Sequence, residues 1–265
     1  MVVLIPGASG GFGSVLAEYL ANQGMTVYGT CRNPDASSPP NGVHMLAMEV
    51  SDSSSIARCV DEIVEKEGRI DAVVNCVNKM FIGSVEEQTA EEVANLYDTN
   101  VIGALRVFKA VLPVMRKQGA GTLVTMSSLG GILAVPYMSA YTSSKFALEA
   151  LTEALYHEVR RDGIDVVIMQ PVAMHLDRPA VGHHLSTVPG ADPDSPTHRM
   201  VKDTAASKLT PEKVAQRVHK VLTAKKKPLR VPMDRAKPLT LIKRLAPQPV
   251  INRLLAGIVP ANGTK

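Results

Sequence analysis

The sequence predicts a single α/β domain: a doubly wound parallel sheet with helices on both faces. Three observations carry this. Short apolar runs rich in β-branched residues recur along the chain and alternate with segments of helical periodicity. The first run opens onto a glycine cluster that leads into a helix. At 265 residues, 45% hydrophobic and 20% charged, the chain can fill one core and is short for two typical domains.

Taken in order, Val2 to Ile5 reads as a buried strand bounded by Pro6 and Gly7. Gly7-Ala-Ser-Gly-Gly-Phe-Gly13 follows, and Ser14 to Gln23 repeats Val15, Leu16, Tyr19 and Leu20 with helical spacing. Strand, glycine loop and helix is the arrangement in which backbone N–H groups and a helix amino terminus hold a pyrophosphate. Thr26 to Thr30 is a second strand, ending in Cys31 and Arg32. An acid there would bind a ribose 2′-hydroxyl and an arginine a 2′-phosphate, so the chain is expected to take NADP(H). Pro39 to Gly42 is a turn, Val43 to Met48 a third strand, and Ser51 or Asp52 caps a helix to about Glu67. Ile70 to Val74 is a fourth strand ending at Asn75. Thr89 starts one long helix through Asn100 to about Lys117, and Gly121 to Met126 is a fifth strand that delivers Ser127 and Ser128. A helix from Ser139 to Arg161 precedes a sixth strand, Ile164 to Met169. The pattern dissolves from Pro171 to Lys208, a length typical of a functional lid or of disorder. Thr210 and Pro211 begin another helix, and Leu229 to Val231 is a last strand.

The net charge of +4 conceals an asymmetry: residues 211–265 hold 13 Lys or Arg against two acids, a balance of +11, and the rest 16 against 23. The tail from Lys237 to Pro260 mixes these cations with leucines and isoleucines. Packing on the domain is expected of it, with peripheral membrane contact as the other reading. Basic charge without interleaved aromatics does not suit nucleic acid. Cys31, Cys59 and Cys76 form no Cys-x-x-Cys pair, and His183-His184 has no third ligand at helical or turn spacing, so no metal is expected. No signal peptide pattern and no run of 18 apolar residues is present, and a cytoplasmic location is the expectation.

The chemistry gathers in Ser139 to Ala150, where Tyr141 and Lys145 stand four residues apart and so share a helix face. A tyrosine titrates near pH 10, and a neighbouring cation favours its phenolate, which fits it for proton exchange with an alcohol or ketone.

With these residues in view, the chain over about 2–231 resembles the short-chain dehydrogenase/reductase family, in its compact branch, and is similar to bacterial members grouped with 17β-hydroxysteroid and retinol dehydrogenases. The family's Thr-Gly-x-x-x-Gly-x-Gly falls on Pro6, Gly7, Gly11 and Gly13, and its Asn-Asn-Ala-Gly on Asn75, Cys76, Val77 and Asn78. A serine thirteen residues before the tyrosine selects Ser128 over Ser127. The resemblance implies a Rossmann-like catalytic domain over 1–231 with a substrate lid at about 172–208, then a basic, apolar extension over 232–265. It implies catalysis by Asn100, Ser128, Tyr141 and Lys145, with Ser128 holding a carbonyl oxygen and Tyr141 exchanging the proton. Lys145 would lower the tyrosine pKa and bind the nicotinamide ribose, and Asn100 would hold a water. Cofactor contacts fall on Gly7, Ser9, Gly11, Phe12, Gly13, Arg32, Glu49, Val50, Asn75, Tyr141, Lys145 and Pro171. The expected activity is NADP(H)-dependent interconversion of a ketone and a secondary alcohol on an apolar, even polycyclic, small molecule, Met174 and Leu176 motivating the substrate class. A homodimer or homotetramer paired through the two long helices is implied. The departures at Cys76–Asn78 and Val172–Leu176 keep open a redox-neutral isomerase or dehydratase of the same fold, and a non-catalytic NADP sensor.

Overall fold

The computed structural model describes residues 1–36, 39–174, 183–185, 208–234 and 236–256. Seven strands form one parallel sheet: β1 (Val2–Pro6), β2 (Thr26–Cys31), β3 (Val43–Ala47), β4 (Ala72–Asn75), β6 (Gly121–Met126), β7 (Ile164–Gln170) and β9 (Arg230–Pro232). They lie in the order β3-β2-β1-β4-β6-β7-β9, with Val3 opposite Val27 on one side and Ala72 on the other. The order reverses direction between β1 and β4, and a crevice at the carboxyl ends of the strands opens at that switch point.

Both faces are covered, which is why the strands read as continuous apolar runs. Val3, Ile5, Val27, Val74, Val124 and Val167 point to one layer, where they meet α1 (Gly11–Asn22) and α6 (Pro211–Leu222). Leu4, Tyr28, Val73, Leu123 and Val166 point to the other and meet α2 (Ser53–Glu67), α4 (Gly103–Gln118) and α5 (Ser139–Val159). The helix starts follow from their caps. Asp52 accepts the Ser54 N–H at 2.8 Å, Thr89 and Glu92 form a reciprocal capping box for α3 (Ala90–Tyr97), and Thr210 accepts the Lys213 N–H.

Four elements differ from the sequence expectation. α1 begins at Gly11 instead of Ser14, so the glycines are its first turn. The expected single helix from Thr89 is divided by a π-helical turn, Asp98–Ile102, between α3 and α4. Within the stretch expected to be a loop, β8 (His183–Leu185) pairs in parallel with β5 (Met80–Ile82) as a second, two-stranded sheet. Three-residue strands paired across a hundred positions leave no period to read. The tail forms α7 (Ala236–Leu245) and α8 (Gln248–Ala256), of which Ala236 and Ile251 are buried. Most of the expected lid (175–182 and 186–207), Leu176 with it, and residues 257–265 lie outside the described residues. No helix among the described residues is long and apolar enough to cross a membrane.

Candidate active site

The glycine loop forms one wall of the crevice. Gly7 holds φ +83°, a backbone conformation side chains rarely adopt, and its N–H and that of Ala8 both reach the Thr30 carbonyl. A Cβ on Gly13 would stand 2.0 Å from the Gly7 carbonyl oxygen, so α1 can sit this close to the loop only with glycine there. Gly10 gives α1 no side-chain cap and its first turn holds no acid, which leaves the helix amino terminus suited to an anion. Asn75, at the end of β4, is buried with its Oδ1 unpartnered among the described residues. A buried acceptor in that state suits a ligand carrying a donor. Arg32 stands exposed just past β2, while Val50 is buried against Gly103 and lends its carbonyl to Arg106. Glu49 is turned back on its own loop, accepting the Ser51 N–H. The cradle fits a dinucleotide: glycine-lined backbone, an uncapped helix end, an orphaned buried acceptor and a cation past β2.

Across the crevice, α5 brings Tyr141 and Lys145 to the end of β6. Lys145 is 2% exposed, and its Nζ donates to the Met126 carbonyl at 2.9 Å and lies 5.7 Å from the centre of the Tyr141 ring. Ser128 caps the short 3₁₀ turn after β6, accepting the Gly130 N–H, and its hydroxyl faces the Tyr141 phenol and favours its charged form. The turn packs on that ring: a Cβ on Gly130 would come 3.2 Å from Tyr141 Cε1. Ser127, one residue earlier, points the other way and donates to Glu149 at 2.7 Å.

Burial pulls the Lys145 ammonium down to about 8, partly opposed by Cys76 and Glu149. Burial also pushes the Tyr141 phenol up, and only the Ser128 hydroxyl acts against it. The expectation of a tyrosine lowered by Lys145 is thereby corrected. In the protein alone burial is the largest influence on the phenol, and the Lys145 ammonium bonds a carbonyl. At neutral pH the pair therefore stands as a protonated phenol beside a charged ammonium.

Asn100 sits in the π turn, fully buried. Its Oδ1 accepts the Lys79 N–H at 2.7 Å, and its Nδ2 donates to the Lys79 carbonyl at 2.8 Å and to Ser144 Oγ at 3.2 Å. Ser144 in turn donates to the Tyr141 carbonyl at 2.7 Å. With both amide hydrogens taken, the side chain is a brace between the β4–β5 loop and the tyrosine's helix.

The profile of the short chain dehydrogenase family matches residues 1–178. The chain belongs to that family. It is an enzyme of the short-chain dehydrogenase/reductase type, and its sheet and helix layers are those of its relatives. It is 41% identical over 170 residues to a 3-ketodihydrosphingosine reductase of Bacteroides thetaiotaomicron, over 64% of this chain and 62% of that one. To human 17-beta-hydroxysteroid dehydrogenase type 1 it is 33% identical over 189 residues, 66% of this chain and 54% of the other. The matches thus span less than two thirds of either relative. Among solved structures, a short-chain dehydrogenase from Streptomyces avermitilis superposes with a TM-score of 0.83 at 30% identity, covering 97% of both chains. One from Burkholderia cenocepacia, in complex with NADP, gives 0.78 at 20% identity, covering 96% of this chain and 97% of that one.

This short-chain dehydrogenase also carries a cluster that residue spacing alone did not assign. Glu149, Gln170 and Arg230 meet one helical turn beyond Lys145, and a cavity of about 270 Å³ is lined by Gly131, Ile132, Glu149, Gln170, Arg230 and Thr240. The signal was present in part: Tyr141, Lys145, Glu149 and Glu153 recur every fourth residue, so one stripe of α5 carries only ionisable groups. Pro171, expected at the cofactor, is buried and lends its carbonyl to the Leu129 N–H at 2.8 Å. Val172 and Met174 are half-buried and pack against the core.

Proposed function

We propose that the protein is an NADP(H)-dependent oxidoreductase that interconverts a ketone and a secondary alcohol on an apolar small molecule, with Tyr141 as general acid and base. The observation that carries the reading is the buried Tyr141 phenol facing the Ser128 hydroxyl with the buried Lys145 ammonium 5.7 Å from its ring. The glycine cradle supports a dinucleotide, the exposed Arg32 supports NADP(H) over NAD(H), and the NADP bound in the Burkholderia neighbour agrees. When bound, NADPH supplies the hydride that reaches the carbonyl carbon. Ser128 then holds the carbonyl oxygen, and Tyr141 Oη gives it a proton as the alkoxide forms. The Lys145 ammonium offsets the phenolate left behind, and Asn100 holds the tyrosine's helix in place through Ser144. A protonated phenol is the form that can give its proton to the alkoxide in ketone reduction.

The relatives' names, a keto-lipid reductase and a hydroxysteroid dehydrogenase, support an apolar substrate. Pairing of two copies through α4 and α5 is supported by the exposed Ile102, Leu105 and Phe146. Peripheral contact with an anionic membrane is supported by Leu241, Leu245 and Val250, exposed by 59%, 75% and 46%, on tail helices that carry no acid. The test is loss of NADPH absorbance with 3-ketodihydrosphingosine and with a 17-ketosteroid. Turnover of either, faster with NADPH than NADH, is expected. NADPH binding without consumption by any ketone would replace the reading with a redox-neutral or sensing role.

A further inference from the structure

Glu149 is 6% exposed, yet its carboxylate is the meeting point of three strand ends. Oε1 accepts the Ser127 hydroxyl at 2.7 Å and Gln170 Nε2 at 2.9 Å, and Oε2 accepts Gln170 Nε2 at 2.9 Å and Arg230 Nε at 3.4 Å. These partners follow β6, end β7 and begin β9. The turn that carries Ser128 rests directly on the group: a Cβ on Gly131 would lie 2.5 Å from Ser127 Oγ and 2.6 Å from Glu149 Oε1. Gln170 also fixes the segment that follows β7, since its carbonyl accepts the Met233 N–H at 3.0 Å and its neighbour Pro171 holds the Leu129 N–H. Burying a carboxylate costs several kcal/mol unless its oxygens are satisfied. Here they are, whereas a glutamine could accept only the bonds at one oxygen and would turn its amide nitrogen toward donors. Nor could a glutamine supply a charge.

We propose that Glu149 is a positioning residue: it sets the Ser127–Ser128 turn against the Tyr141 phenol and keeps a fixed negative charge one helical turn from the Lys145 ammonium. This rests on the reading of Tyr141 and Lys145 as proton donor and cationic partner. The groups facing Lys145 are Tyr141 and Glu149 from α5, Cys76 from the loop after β4 and the Met126 carbonyl from β6. Those facing Glu149 are Ser127, Gln170 and Arg230, with Arg230 shared by Glu153 on α5. Burial draws Lys145 down to about 8 while Glu149 opposes it. Without that charge the ammonium is lost at lower pH.

The experiment measures kcat and KM against pH for the full chain with NADPH and whichever of the two ketones above the wild type reduces. Glu149→Gln is expected to bind NADPH and ketone within about threefold of wild type, lose about tenfold or more in kcat, and move its alkaline limb to lower pH by roughly half a unit. Ser127→Ala, which keeps the charge and loses one tie, should lose less in kcat and leave the limb in place. Wild-type kcat in Glu149→Gln, or a loss with an unmoved limb, overturns the inference. Should Glu149→Gln fail to fold, Glu149→Asp decides: the charge stays and the reach shortens, so kcat should fall with the limb unmoved, and wild-type kcat or a moved limb overturns it. Tyr141→Phe runs beside them. If it is inactive, such negative results count against Glu149 alone, whereas full activity in Tyr141→Phe removes the acid–base reading itself.

Discussion

The two walls of the crevice are built from different materials. On the β1–β4 side the surface is backbone: Gly7, Gly13 and the first turn of α1, held by packing so close that a single methyl group would collide with a carbonyl oxygen. On the β6–β9 side it is side chains, with Ser127, Ser128, Tyr141, Lys145, Glu149, Gln170 and Arg230 gathered from four elements. A backbone wall tolerates no added volume but has no protonation state to tune. A side-chain wall can lose one group, keep its shape and change its chemistry.

That contrast is sharpest at Gly13. Gly13→Ala forces α1 away from the loop at a cost on the order of 3 kcal/mol, and NADPH binding in a titration should disappear along with a lowered melting temperature. Tight NADPH binding by this variant would show that the cradle yields. Next in size, Asn100→Ala strands the Lys79 N–H and carbonyl and frees Ser144. A loss of roughly 2–3 kcal/mol, or about 5–10 °C in melting temperature, is expected, with turnover reduced further because the tyrosine's helix is loosened. Arg32→Ala touches only the backbone wall's charged margin. It should weaken NADPH about tenfold, some 1.4 kcal/mol, and leave NADH unchanged. Equal losses would remove Arg32 from cofactor choice. The smallest effect belongs to pH. Below about 8 Lys145 is charged and the raised phenol is protonated. Reduction should therefore be flat from neutrality to about pH 8 and fall above it as the ammonium is lost, whereas a rate still rising past pH 9 would contradict that assignment.

The same division decides what the sequence revealed. Gly7 to Gly13, the caps at Asp52, Thr89 and Thr210 and the apolar strands are local signals, each complete within a few residues, and the parallel sheet followed from them. Ser127 and Ser128 are adjacent and chemically identical, yet only spacing to the tyrosine separates them, and the structure turns one toward Glu149 and the other toward Tyr141. The partners of Glu149 lie 21, 22 and 81 positions away, so its role could not be read from any window of sequence. Neither could β5 and β8, which make sense only once paired, nor the π turn, whose Asn100 bonds Lys79 and Ser144 far along the chain. The direction of the Tyr141 shift follows the same division: the four-residue spacing gives the cation's position but not the depth of burial that raises the phenol.

The most direct test replaces one oxygen. Tyr141→Phe keeps the ring, the packing on Gly130 and the whole backbone wall, and removes only the hydroxyl whose proton the carbonyl oxygen is said to receive. With NADPH affinity measured by titration and turnover by NADPH consumption, affinity should stay at the wild-type value while kcat falls roughly a hundredfold to ten-thousandfold. Turnover at the wild-type rate would contradict the account.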